Sequence, residues 1–123
     1  MRIRQRGRLS KSSAAEGCLD ADLLKQPFAG QDRKHVVQLL KTAMAGADAC
    51  LHDKFEANED VNLLVKARAW VAEQLILHAW ASLVRSNQGI ALVAVGGFGR
   101  GELHPHSDVD LLILLADSPP DED

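Results

Sequence analysis

Apolar residues recur at three- and four-residue spacing through the middle of the chain, which predicts two amphipathic helices. The first begins after Asp32, whose side chain can accept hydrogen bonds from the free amides of a first helical turn, and it frays out by Asn58. The second begins after Asp60 and ends in the polar run 86–89. Because the link between them is short, we expect an antiparallel hairpin. The apolar faces comprise Val36, Leu40, Ala43, Met44, Ala47, Leu51 and Phe55 in the first helix, and Val61, Leu64, Val65, Val71, Ala72, Leu75, Ile76, Ala79 and Leu83 in the second.

Two short apolar runs follow the hairpin and predict strands. Residues 90–95 lie between Gly89 and a glycine pair, and their length and branched side chains favour a buried strand. Residues 109–115 form a second run, whose unbroken leucines and isoleucine are typical of a strand covered on both faces. The predicted fold class is therefore α+β, with the helical hairpin packed on the first strands of a mixed, incomplete sheet. Two strands alone are marginal in water, so we expect the fragment to be partly open and to expose apolar surface meant for missing strands.

The same pattern divides the chain into four stretches. Residues 1–31 are polar, irregular and basic at their start, so we expect a disordered tail rather than a targeting peptide. The hairpin spans residues 32–88, and a second domain begins with residues 89–117. Residues 118–123 form a polar tail whose prolines cannot continue a strand.

Composition argues against two classes of partner. The formal net charge is -3 at pH 7, so the whole chain is not a basic nucleic-acid binder. The longest apolar runs, residues 90–95 and 111–116, are far shorter than the roughly 20 residues that a membrane-spanning helix needs. Cys18 and Cys50 form no CxxC pair and follow no secretory signal, so we expect reduced thiols in a cytoplasmic protein.

A glycine-rich turn, residues 96–101, directly follows the first predicted strand. Backbone amides bind a phosphate closely only where no side chain blocks the approach, and glycine also permits the dihedral angles that such a turn requires. Gly96 and Gly97 stand at the strand end, where a following helical turn points its free amides outward. Arg100 adds a cation for a triphosphate or an acidic partner. By itself, the motif also describes an ordinary glycine turn.

Two carboxylates open the second predicted strand. Asp108 and Asp110 are two positions apart, so on a strand both side chains point to the same face. Two like charges at this spacing repel each other, whereas a magnesium ion needs hard oxygen ligands of this kind. The alternative is a pair of solvated acids. The preceding glycine pair favours a phosphate and metal site, because the loop and the acids are placed to hold two ends of one nucleoside triphosphate.

Other nucleotide-binding motifs do not fit this stretch. A Rossmann dinucleotide site needs Gly-x-Gly-x-x-Gly after the strand. Starting from Gly97 and Gly99, the third glycine position falls on Glu102. Starting from Gly96, the second falls on Phe98. A Walker loop is excluded as well, because no Gly-Lys followed by Ser or Thr occurs.

The run from Gly96-Gly97 to Asp108-Val109-Asp110-Leu111 resembles the signature of the DNA polymerase beta-like nucleotidyltransferase superfamily. Residues 97–108, GFGRGELHPHSD, are similar more particularly to the PII-protein uridylyltransferase family. The helical segment 67–80, with its two tryptophans, is also similar to that family. The resemblance covers roughly residues 33–117, so residues 89–117 resemble the truncated start of a nucleotidyltransferase domain.

The resemblance implies transfer of a uridylyl group from UTP to a tyrosine of the PII nitrogen-signalling protein, with in-line displacement of pyrophosphate. It implies that Asp108 and Asp110 are the catalytic, metal-binding residues and hold Mg2+. The residues that it assigns to the triphosphate or its loop are Gly96, Gly97, Arg100 and Ser107. His104 and His106 are predicted to shape the loop or the surface, and Arg68 and Glu73 to face solvent or a missing part of the enzyme.

Two features depart from the family pattern. The superfamily uses a third carboxylate on a later strand, but only 13 residues follow Asp110, and the acids among them lie in or beside a Pro119-Pro120 tail. The hydrolase and glutamine-sensing regions of the family are also absent. We therefore expect an N-terminal fragment that does not transfer efficiently alone. The alternatives are a non-catalytic nucleotide-binding or pairing module, and a relative of glutamine synthetase adenylyltransferase.

Overall fold

The structure, a computed structural model, describes residues 9–11, 13–20, 22, 25, 32–83 and 89–116. Its long helices are α1 (Arg33–Glu56) and α2 (Val61–Leu83), and its strands are β1 (Ile90–Ala94) and β2 (Leu111–Leu115). Two short elements are the 3-10 helix Ser13–Ala15 and the four-residue helix α3 (Gly96–Gly99). The long helices precede the strands, so the predicted α+β class is confirmed. None of the described helices is long and apolar enough to cross a membrane.

Both long helices begin where the sequence predicts. Asp32 lies just before α1 with an extended backbone, and its side chain accepts a hydrogen bond from the amide of Lys34 at 3.2 Å. Asp60, just before α2, accepts one from the amide of Asn62 at 2.8 Å. Between the helices, Asn58 has a φ of 66°, a left-handed conformation that asparagine tolerates better than most residues. It turns the chain at the end of α1.

A core of small and branched side chains holds the hairpin together, and the segment before the hairpin contributes to it. The buried residues of this core are Ala14, Ala15, Cys18, Ala47, Leu51, Leu64, Ala67, Val71 and Leu75. Phe55 of α1 and Val61 of α2 also belong to the predicted apolar faces, but they lie near the turn and are 53% and 50% exposed. The apolar contact between the helices therefore ends before the turn.

A second core joins α2 to the loop that follows β1. Its buried members are Ala69, Ala72, Ala94, Phe98 and Leu103, with Leu9 and Ile76 packed against them. The amide of Leu103 also donates to the carbonyl of Val65 on α2 at 3.2 Å. Helix α2 therefore serves two cores, one shared with α1 and one shared with the end of β1.

β1 and β2 form a two-stranded antiparallel sheet in which Ile90 pairs with Leu115 and Ala94 pairs with Leu111. The amide of Val95 donates to the carbonyl of Asp110 at 3.1 Å, which extends the pairing by one residue beyond β1. No third strand occurs among the described residues. The mixed character of the sheet stays a prediction.

The two strands differ in burial. Residues 91–94 of β1 are buried, as predicted, whereas all five residues of β2 are exposed, from 39% at Leu111 to 69% at Leu115. The observed second strand, Leu111–Leu115, is shorter than the predicted 109–115. Its unbroken leucines are typical of a strand covered on both faces, but the part of the chain that the structure describes leaves it exposed, in line with the expected open sheet.

Part of the predicted disordered tail has a defined place in the fold. The 3-10 helix Ser13–Ala15 packs on α1 and α2, and two of its residues are buried. Lys54 of α1 donates to the carbonyls of Ala14 and Glu16 at 2.7 and 2.9 Å. This differs from the expected lack of fixed structure, because the alanines extend the hairpin core. The rest of that tail (1–8, 12, 21, 23, 24 and 26–31) and the predicted tail 118–123 lie outside the described residues.

Cys18 and Cys50 form a disulfide with a Cα–Cα distance of 5.4 Å, so the prediction of reduced thiols is wrong. The cysteines are 32 positions apart, and spacing alone cannot show that packing brings them together. Disulfides are rare in cytosolic proteins, so the thiol argument for the cytoplasm no longer holds. The location stays a prediction.

Opening the Cys18–Cys50 disulfide should destabilise the chain. The bond closes a loop with a sequence separation of 32, for which chain entropy predicts a contribution of about 3–4 kcal/mol. We expect Cys50→Ser to lower the free energy of unfolding in urea by this amount relative to the oxidised chain. The reduced wild-type chain should unfold at the same urea concentration as the variant. Equal midpoints for the oxidised chain and the variant would contradict the disulfide.

Candidate active site

β1 leads directly into a single helical turn made largely of glycine. Gly96 has a φ of 64°, a left-handed conformation that glycine adopts at little cost. The amide of Gly99 donates to the carbonyl of Val95 at 3.0 Å and closes the turn. Phe98 is 1% exposed and packs into the core beside α2. The predicted helical turn after the glycine pair is therefore present, and it is anchored from inside by an aromatic side chain.

The amides at the start of this turn, those of Gly96 and Gly97, donate to no acceptor in the part of the chain that the structure describes. A first helical turn leaves such donors unpaired unless a side chain caps them, and Val95 at the cap position makes no side-chain hydrogen bond. Neither glycine carries a side chain that would block an anion. The bend can therefore present two backbone donors to phosphate oxygens.

The carboxylate of Asp110 lies against this glycine bend. A Cβ atom placed on Gly96 would stand 3.0 Å from Asp110 Oδ2. The approach is held by the sheet, because the amide of Val95 donates to the carbonyl of Asp110 at 3.1 Å. An acidic side chain and a pair of backbone donors thus share one small space, and the absence of a side chain at position 96 allows it.

Asp108 and Asp110 are both exposed and lie in the segment 107–110, just before β2. The prediction that both side chains point to the same face assumed that the two acids lie on a strand. Both precede β2, which begins at Leu111, so that argument does not apply to them. Their carboxylates form no hydrogen bond or ion pair with any residue in the described ranges. Both acids are therefore available to a cation from solution.

The donor set fits one magnesium ion shared with a bound nucleotide. Mg2+ usually binds through one or two carboxylates, while water and substrate phosphates supply the remaining ligands. Asp110, which lies beside the backbone donors for phosphate, and Asp108, two positions earlier in the chain, match that set. No group of three or more His, Cys, Asp or Glu residues that could hold a metal occurs within the described ranges. A metal here would depend on the nucleotide for further ligands.

Arg100 and Ser107 lie on the loop between the bend and the aspartates. Arg100 is exposed, and its Nη2 atom is 3.7 Å from the Cβ position of Gly97, so the guanidinium group lies beside the bend. The amide of Ser107 donates to the carbonyl of His104 at 3.1 Å and closes a turn in which His106 has a φ of 63°. The two histidines therefore form part of a tight turn, in line with their predicted role in shaping the loop.

Two charged residues of α2 are buried, and the prediction that they face solvent or a missing part is wrong. Arg68 is 9% exposed and pairs with Asp48 of α1, and burial lowers the pKa of its guanidinium group. Glu73 is fully buried and accepts a hydrogen bond from the amide of Leu9 at 3.0 Å. The burial of Glu73 could have been predicted from helical spacing. It lies four positions after Ala69, on the helix face that packs in the second core.

A cavity of about 520 Å³ opens between the hairpin and the turn at His104 and His106. Its lining is mainly apolar, and the ion pair of Arg68 with Asp48 lies in its wall. Neither the glycine bend nor the two aspartates line it. The candidate site is therefore a separate, open surface.

Comparison with known proteins identifies the domain that carries this site. Residues 76–123 match the nucleotidyltransferase domain family. The chain is 50% identical over 80 residues to the bifunctional uridylyltransferase/uridylyl-removing enzyme of Pseudomonas putida, which covers 64% of this chain and 9% of that protein. The predicted family resemblance is confirmed.

Other uridylyltransferase/uridylyl-removing enzymes agree with this result. Those of Ectopseudomonas mendocina and Stutzerimonas stutzeri are 46% and 49% identical over 67% and 61% of this chain, and over 9% and 8% of their own length. The chain thus spans less than a tenth of the relatives that it matches. No solved structure matches it. The matched nucleotidyltransferase region contains the glycine bend and both aspartates.

Replacing Gly96 with alanine should harm both the fold and the site. A left-handed backbone costs a residue with a Cβ atom about 1–2 kcal/mol, and the new methyl group would meet Asp110 Oδ2 at 3.0 Å. We expect urea unfolding to show a loss of about 1–2 kcal/mol and NMR to show a shift of the Asp110 carboxylate signal.

Gly46→Ala is the matched control for this substitution. Gly46 lies inside α1 with nothing within 4 Å of its Cβ position, so alanine should stabilise the helix by about 1 kcal/mol. If Gly96→Ala had the stability of the wild-type chain and the Asp110 signal did not move, the described contact between Asp110 and the bend would be incorrect.

Proposed function

We propose that the chain provides the nucleotide-binding start of an enzyme that transfers UMP from UTP to a tyrosine hydroxyl of the PII nitrogen-regulatory protein. The observation that carries the proposal is the 3.0 Å approach of Asp110 Oδ2 to the Cβ position of Gly96. It brings an acidic side chain next to backbone donors that suit a phosphate. Relatives named uridylyltransferases support the uridylyl group, and the family resemblance supports PII as the acceptor.

Each part of the nucleotide has its own binding groups in this proposal. The groups for the outer phosphates are the amides of Gly96 and Gly97, supported by Arg100 and Ser107. Asp108 and Asp110 hold magnesium through their carboxylate oxygens. Magnesium, when bound, neutralises charge on the leaving pyrophosphate and makes the attacking hydroxyl more acidic. The partners are then UTP and PII, without nucleic acid or membrane.

The proposed reaction is a single in-line displacement at phosphorus. The tyrosine oxygen forms a bond to the α-phosphorus of UTP while the bond from that phosphorus to the bridging oxygen breaks. Pyrophosphate leaves with the electron pair, and the hydroxyl proton is released to solvent. Backbone donors that are already fixed before the attack stabilise the leaving group without reorganising.

We also propose that this chain does not transfer UMP efficiently by itself. The described residues contain no third metal-binding acid near Asp108 and Asp110. The same observation, together with the exposed β2, favours a second candidate function, a non-catalytic nucleotide-binding or pairing module. A glutamine synthetase adenylyltransferase-like activity ranks lower, because that family uses a different sequence around its glycines.

Binding of UTP should require magnesium and both aspartates. We expect the double variant Asp108→Ala with Asp110→Ala to weaken binding by about tenfold or more in calorimetry, because the ion then loses its protein ligands. The matched control is Asp53→Ala with Glu59→Ala, which removes the same charge from two exposed positions on the hairpin. Equal affinity in the wild-type chain and the Asp108/Asp110 variant would refute the metal site.

Transfer by the chain alone is tested with radiolabelled UTP, magnesium and PII protein. We expect no label on PII above background, because the metal lacks a complete set of protein ligands. The full-length Pseudomonas putida enzyme serves as the positive control under the same conditions. Turnover by the chain comparable with that enzyme would refute the proposed dependence on further residues.

A further inference from the structure

A buried carboxylate on α2 holds the backbone near the N-terminus. The amide nitrogen of Leu9 lies 3.0 and 3.3 Å from the two carboxylate oxygens of Glu73, and it donates to them. Glu73 is fully buried, although the two residues are 64 positions apart in the sequence. A buried carboxylate needs hydrogen bonds to offset its lost hydration, so this contact determines where the chain runs at Leu9.

The side chain of Leu9 reaches the end of the glycine loop. It packs into the core that contains Phe98 and Leu103, and its Cδ2 atom lies 3.0 Å from the Cβ position of Gly101. Gly101 has a φ of 79° and donates its amide to the carbonyl of Phe98 at 3.0 Å, so it closes the turn that starts at Gly96. Leu9 therefore supports from inside the same loop that presents its free amides to solvent.

The rest of this N-terminal segment is anchored on the hairpin. We call residues 9–11 and 13–18 the strap. Lys54 donates to two strap carbonyls at 2.7 and 2.9 Å, and the disulfide to Cys50 joins the end of the strap to α1. Lys11, also in the strap, lies 5.6 Å from the ring centre of Trp70 on α2. The strap thus runs from α1 across α2 to the glycine loop.

We propose that Leu9 and Glu73 are positioning residues that fix the conformation of the glycine loop before a triphosphate binds. They act through Gly101 and Phe98 and do not touch the reacting atoms. A loop that is ordered in advance loses less conformational entropy on binding, so it binds phosphate more tightly. The consequence for UTP rests on the proposed function, whereas the effect on the loop does not.

Leu9→Ala in the full chain removes the contact with Gly101 and keeps the amide that donates to Glu73. We expect hydrogen exchange at the hydrogen-bonded amides of residues 99–103, measured without nucleotide, to become about tenfold faster while exchange in α1 is unchanged. Leu19→Ala is the matched control, because Leu19 is partly buried against the hairpin core instead. It should leave exchange at 99–103 unchanged. Unchanged exchange at 99–103 in Leu9→Ala as well would overturn the proposal.

A second experiment compares the affinity of the chain for UTP with its affinity for UMP, both in the presence of magnesium. Affinity for UTP should fall about tenfold in Leu9→Ala while that for UMP stays the same, because the loop faces the outer phosphates. General unfolding would weaken both ligands, and an equal loss for both would count against positioning. Urea unfolding of each variant provides the stability against which these changes are compared.

Two substitutions at Glu73 test whether its hydrogen bond to the amide of Leu9 positions the glycine loop, or whether Glu73 only fills space in the core. Glu73→Gln keeps a side-chain oxygen that can accept from the amide of Leu9, whereas Glu73→Ala does not. We expect the glutamine variant to retain the slow exchange at 99–103 that the alanine variant loses. Equal exchange in both variants would overturn the role of Glu73. Because exchange is read without nucleotide, a wild-type chain that binds no UTP would refute the proposed function and leave the test of the loop intact.

Discussion

The candidate site depends on one backbone hydrogen bond at the end of the sheet, from the amide of Val95 to the carbonyl of Asp110. It joins the chain just after β1 to the chain just before β2. The glycine bend and the acid therefore cannot separate unless the strand pairing opens. The side chain of Asp110 then occupies the space beside Gly96 that any larger residue would fill. The register of two short strands thus determines the distance between the glycine bend and the carboxylate of Asp110.

Helix α2 connects this site to the rest of the chain. One side packs on α1 through the hairpin core, and the other supports Phe98 and Leu103 below the loop. Each of its two buried charged residues contacts another part of the chain. Arg68 pairs with Asp48 of α1, and Glu73 accepts a hydrogen bond from the amide of Leu9. Removal of Asp48 would leave the guanidinium group of Arg68, whose side chain is only 11% exposed, without this partner, and that costs more than an exposed pair contributes.

Features that depend on neighbours in the chain could be predicted from the sequence. The cap at Asp32, the hairpin, β1 and the glycine turn all follow from local spacing and are present. Features that depend on what lies opposite could not be predicted. The thiol of Cys18 meets that of Cys50 only because the 3-10 segment folds onto α1, and β2 has the composition of a covered strand although it is exposed. In the site, the proximity of Asp110 to the bend is observed, whereas the roles of all the candidate residues, Asp110 included, stay predictions.

The exposed β2 also governs how the chain behaves in concentrated solution. Its five residues, Leu111–Leu115, are all apolar, and no described strand other than β1 pairs with it. A flat hydrophobic edge without a charge or a proline is a template on which further chains add strand by strand. Colloidal stability of the purified chain therefore depends on a polypeptide or additive that shields this edge, and aggregation competes with ligand binding as concentration rises.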